Sequence, residues 1–76
     1  MNAKDFLASK GITQQMLADK LGCTRANVSI WVSGKYAPSV DNVTRITDAL
    51  NELGASVTYD EVFKVLWTSR QERKGA

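Results

Sequence analysis

Seventy-six residues, 43% of them hydrophobic and with a net charge of +2, make one small domain, residues 1–76, with a thin core. One cysteine and no histidine exclude an intrachain disulfide and a zinc site, so association with a second copy remains as a source of extra stability. No apolar run approaches the roughly 20 residues of a membrane span, and the start, MNAKDFLASKG, lacks a signal peptide's apolar stretch, so a protein of a reducing cytosol is expected.

In chain order, Asn2 is a natural cap for a first helix over about Ala3 to Lys10, with Phe6 and Leu7 facing the core and Gly11 ending it. Thr13 caps a second helix, about Gln14 to Leu21, because its hydroxyl can accept from an otherwise orphan amide of the first turn. Gly22 follows where the chain needs positive φ, which glycine adopts without a Cβ penalty. Thr24 caps a third helix, about Arg25 to Val32, ending before Ser33-Gly34. Leu17, Leu21, Val28 and Trp31 fall where two crossed helices bury side chains against each other, with Ala18 small at the closest approach.

Gly34 to Pro38 reads as a loop. Ser39 caps a fourth helix, about Val40 to Leu53, in which Val40, Val43, Ile46, Ala49, Leu50 and Leu53 form one buried stripe. Gly54 ends it, and the pair Thr58 and Glu61 forms a capping box for a fifth helix from Tyr59 to about Arg70. That helix is expected to bury Tyr59, Val62, Phe63 and Leu66, with Trp67 at the stripe's edge and Val65 off it. A polar tail, 71–76, is expected to fray. Period-two alternation covers only Ala55 to Tyr59, too short for a strand, so the fold class is all-α, a compact bundle of five helices.

Charge is unevenly spread: residues 1–10 carry +1, residues 11–38 carry +2, residues 39–61 carry −4 and residues 62–76 carry +3. A basic surface beside an acidic one suits a protein that meets phosphates on one side only.

Residues Ile12 to Pro38, with Thr13-Gln14-Gln15, Leu17-Ala18, Leu21-Gly22, Thr24-Arg25, Val28-Ser29, Trp31, Gly34-Lys35 and Pro38 at matching spacing, resemble the helix-turn-helix of the lambda-repressor-like family, which includes the Cro and Xre-type regulators of phages and bacteria. The motif spans about residues 13–33, and the similarity reaches from the first helix to about Leu53. Val32 departs from the pattern, since the family often has an acidic residue there that helps fix the end of the helix, and Cys23 stands where a buried aliphatic residue is usual. Free cysteine behaves as a small hydrophobe, so Cys23 is expected in the core. The resemblance implies a motif whose third helix lies in a DNA major groove while the second crosses the backbone.

On the outward face of the third helix lie Arg25, Ala26, Ser29, Ile30 and Ser33. Arg25, Ala26, Ser29 and Ile30 are the expected base contacts: an arginine near a helix N-terminus can donate two hydrogen bonds to guanine O6 and N7, and an apolar side chain can meet a thymine methyl. The plainer role for Arg25 is a phosphate contact. The resemblance implies a phosphate contact for Gln14 at the start of the second helix, where backbone amides favour anions; a plain first-turn polar residue is the alternative. Thr24, Asn27, Lys35, Tyr36 and Asn42 are further phosphate candidates, with Asn27 also in reach of a base; solvated surface is the alternative for Lys35, Tyr36 and Asn42. Val65 and Trp67 are the candidate dimer contacts, because the fifth helix carries a wider apolar stripe than one small core needs; Trp67 covering its own core is the alternative. Arg70, Arg73 and Lys74 either attract DNA or belong to the fray.

No histidine, glycine-rich phosphate loop or nucleophile–base pair is present, so neither an enzyme nor a cofactor or metal is expected. The leading expectation is a sequence-specific double-stranded-DNA-binding transcriptional regulator, a repressor of phage or mobile-element type acting in the cytoplasm of a bacterial or phage-infected cell as a homodimer on a palindromic operator. The other is an antitoxin or similar module that holds a protein partner and regulates its own operon. The lack of a long tail to wrap a toxin favours the first.

Overall fold

The computed structural model describes residues 1–74, and Gly75 and Ala76 of the expected tail lie outside the described residues. Five helices follow one another: α1 Ala3–Ser9, α2 Gln14–Leu21, α3 Arg25–Ser33, α4 Val40–Glu52 and α5 Tyr59–Lys74. Each of the caps read from the sequence forms. Asn2, Thr13, Thr24 and Ser39 accept from the amides of Asp5, Met16, Asn27 and Asn42 at 2.8–3.2 Å. Thr58 and Glu61 close their capping box, the Glu61 amide donating to Thr58 Oγ1 at 3.2 Å and the Thr58 amide to Glu61 Oε1 at 3.3 Å.

Gly22 takes the left-handed conformation (φ 71°), which turns the chain sharply between α2 and α3. Ala18 and Val28 have no exposed surface where the two helices cross. Leu17, Leu50, Val43 and Val62 complete the centre of the core, while Leu21, Cys23 and Trp31 are only partly buried at its edge. Val32, where an acidic residue is usual in the resembling family, is buried, so an aliphatic contact holds the end of α3 instead.

Three expectations fail. Val40 is 70% exposed and does not belong to the α4 stripe. As the first helical residue its side chain points back past the end of the core rather than down onto it. In its place Thr47 is buried beside Val43, Ile46 and Leu50. On α5 the buried face is Val62, Val65, Leu66 and Ser69, not the aromatic one; Tyr59, Phe63 and Trp67 are 36%, 38% and 44% exposed. Val65 is therefore a core residue, with little surface to offer a partner. Small and branched side chains at this i, i+3, i+4, i+7 spacing let α5 approach α1, α3 and α4 more closely than rings would. Finally, Gln71 to Lys74 continue the helix, so α5 runs past its expected end near Arg70.

The last helix is tied down near both ends. Ser69 Oγ accepts from the amide of Ala3 at 2.8 Å, satisfying an orphan donor at the start of α1, and Asn2 Nδ2 donates to Glu72 Oε2 at 2.8 Å. Between α4 and α5, Asn51 clamps the connecting loop by donating to Val57 O at 3.0 Å and accepting from Val57 N at 2.7 Å. Val57 is thereby held in the core. We expect Asn51→Ala to lower stability by about 1–3 kcal/mol, the range for leaving part-buried backbone groups unpaired. Chemical denaturation reads that loss directly, and an unchanged midpoint would show the clamp to be idle.

Candidate nucleic-acid interface

Helix α3 offers an outward face because its inward face is fully used by Val28 and Val32. Arg25, Ala26, Asn27, Ser29 and Ser33 are exposed, and Ile30 is half-buried. Ile30 thus presents only part of an apolar surface, less than the sequence suggests. Thr24 is also exposed, but its oxygen is occupied by the cap to Asn27 N at 3.2 Å; its own hydroxyl hydrogen remains for a ligand.

The expected contacts fall into three neighbourhoods. Gln14 and Arg25 line one open depression together with Lys4, Gln15 and the α1–α2 turn. Gln14 and Ser29 share the next with Lys4, Ser33 and Ser69. Gln14 therefore stands between the two ends of the α3 face, with its Oε1 buried and unpaired. Tyr36 and Asn42 lie apart from this group, around a smaller depression of about 110 Å³ walled by Trp31, Pro38 and Ile46. Lys35 occupies a third place with Gly34, Arg70 and Arg73, its Nζ 5.7 Å from the centre of the Tyr36 ring.

Lys4 escaped the sequence reading, and Arg70, read there only as a DNA-attracting or fraying residue, has a positioning role as well. Lys4 lines both depressions around Gln14, yet nothing in α1 alone says that its exposed side chain meets the start of α2. Arg70 donates from Nη1 to the carbonyls of Lys35 at 2.9 Å and Gly34 at 3.4 Å, so α5 fixes the loop after α3 from 35 residues away. Gly34 makes this possible. Its φ is 79°, it is buried, and a Cβ there would stand 2.5 Å from the carbonyl carbon of Ser69.

The arrangement is a protruding helix with polar and cationic side chains at its N-terminal end, flanked by amide and ammonium donors on the neighbouring elements. Such a surface can donate hydrogen bonds to base edges in a groove and to phosphates on either side of it. Among the described residues no three His, Cys, Asp or Glu side chains are placed to hold a metal ion, and no helix is long and apolar enough to cross a membrane.

No curated protein and no solved structure matches the chain. The family model described as Helix-turn-helix matches residues 4–55, which run from α1 through the motif and α4 to the loop beyond it. The chain belongs to the Cro/Xre, lambda-repressor-like helix-turn-helix family of DNA-binding regulators.

Proposed function

We propose that the protein is a sequence-specific repressor of the phage or mobile-element kind, which lays α3 in the major groove of an operator and so blocks access to a promoter. The observation that carries this reading is the exposed α3 face, with Arg25, Ala26, Ser29 and the uncovered part of Ile30 on the second helix of the motif. Arg25 donates to a guanine, and Ile30 meets a thymine methyl. Gln14, Thr24, Asn27, Lys35, Tyr36 and Asn42, with Lys4 added, hold the phosphates. Binding then weakens as salt rises, with a log–log slope set by the number of phosphates neutralised. Lys35→Ala is expected to shallow that slope by about one unit per protomer and to leave base preference unchanged. Titration of a labelled duplex over a salt series tests this, and an affinity that ignores salt would count against DNA as the main ligand.

One such domain makes few base contacts, and the α5 surface supports a homodimer. Tyr59, Phe63 and Trp67 form an exposed ladder of stacked rings, with centroids 6.5 and 6.2 Å apart and planes within 10° and 6° of parallel. A two-fold axis at Phe63 sets Tyr59 of one copy against the partner's Trp67 and Asp60 near the partner's Lys64, so the face complements itself. The dimer spans half-sites about one helical turn, roughly 34 Å, apart on a palindrome. An interface tryptophan typically costs about 2 kcal/mol or more when truncated. Trp67→Ala is therefore expected to turn dimers into helical monomers in light scattering and to weaken operator binding. A wild type that stays monomeric both free and on DNA would remove the dimer and return Trp67 to the role of a core lid. If the ladder instead holds a different protein, as in an antitoxin, capture of that protein at the expense of the homodimer will show it.

A further inference from the structure

The depression between the α3–α4 loop and the C-terminal end of α5 is lined by Gly34, Lys35, Arg70 and Arg73, with a volume of about 210 Å³. Three cationic side chains surround it and no carboxylate does. The one acidic residue in this stretch of α5, Glu72, is engaged elsewhere, accepting from Asn2 at 2.8 Å. Arg70 is held in place by the two carbonyls its Nη1 reaches, Lys35 O and Gly34 O. A guanidinium has five N–H donors in a rigid fork, so those bonds leave the hydrogens of Nη2 and Nε unused. A guanidinium immobilised in this way loses little further entropy on binding an anion, and its fork matches a phosphate bidentately. Arg73 lies one turn further along α5 and is exposed. Lys35 stands on the facing loop.

We propose that Lys35, Arg70 and Arg73 form a phosphate site, and that its ligand is a backbone phosphate of the same duplex whose bases α3 reads. This rests on the DNA-binding reading above. It extends the DNA footprint to α5, which lies beyond residues 4–55, the part of the chain that carries the family match. Arg70 does two things at once: it positions the loop that bears Lys35, and it offers its free edge to the phosphate. Arg73 supplies charge without any part in the fold, so it is the residue to change.

The test uses the full chain and two duplexes, one carrying the best site from a selection and one of random sequence, over a salt series. Arg73→Gln is expected to lower affinity for both duplexes by the same factor, to shallow the log–log salt slope by about one unit per protomer, and to leave the melting temperature unchanged. A scan of single methylphosphonate substitutions in the selected duplex adds a second readout. Neutralising one flanking phosphate should weaken the wild type more than Arg73→Gln, in which only Lys35 and Arg70 remain to hold it. Unchanged affinity and slope in Arg73→Gln, while Lys35→Ala shifts both, would overturn the α5 site and leave the DNA reading intact. A wild type that binds neither duplex would overturn both.

Discussion

A Val28→Asp variant is expected to be largely unfolded at room temperature. Val28 has no exposed surface and lies at the crossing of α2 and α3, buried with Leu17 and Ala18. An aspartate there either carries its charge into an apolar interior or gives up the charge and remains an unpaired carboxyl group. Burying an ion costs several kcal/mol even after relaxation. A 76-residue domain has about 4–11 kcal/mol of net stability to lose. Lost packing adds to the penalty, so the helical circular dichroism and the melting transition should both collapse. Ser29→Asp, one residue along and exposed, is the control. It should keep the fold while placing a negative charge on the surface proposed to meet DNA. A Val28→Asp protein with the wild-type melting curve would mean that α3 is rotated from the position described.

The second large effect is expected at Gly34. Gly22 and Gly34 both adopt left-handed backbone, with φ of 71° and 79°. A Cβ at Gly22 meets nothing within 4 Å, whereas one at Gly34 strikes the backbone of Ser69 and Arg70. Alanine at either position bears the left-handed penalty of about 1–2 kcal/mol. Only Gly34→Ala must also push α5 away, loosening the Ser69–Ala3 bond and the Arg70 hold on the loop. Gly34→Ala should therefore lose clearly more stability than Gly22→Ala, with faster amide exchange concentrated in α5. Equal losses in chemical denaturation would show that α5 does not pack on the end of α3 as described.

What the sequence displays and what it hides divide along physical lines. Caps, turn glycines and the motif itself are local: Thr13, Gly22, Thr24 and the Thr58–Glu61 box act within a few residues of themselves. The α3 face was legible for the same reason, since Val28 and Trp31 mark its inward side and leave Arg25 and Ser29 outward, while the burial of Val32 shows only in the structure. The buried face of α5 was misread because hydrophobic bulk is a poor guide when a neighbour must come close. Val65 and Ser69 win the core over Tyr59 and Phe63 through fit against α1 and Gly34, and nothing in α5 alone encodes that fit. The places of Lys4 beside Gln14 and of Arg70 over the Lys35 carbonyl are long-range in the same sense. Val40 follows the helical period yet lies beyond the core, because periodicity does not say where a core ends.

Base reading by α3 is what the proposed function stands on. Selection of bound sites from a random double-stranded library, run side by side with the wild type and Arg25→Ala, tests it most directly. The wild type should enrich one short motif, arranged as a palindrome if the dimer forms. Arg25→Ala should lose the preference for a guanine at one position in each half-site, at a cost of about 1–3 kcal/mol on the best site and much less on random DNA. A wild type that enriches no motif, or an Arg25→Ala variant that enriches the same motif at every position, would contradict the claim.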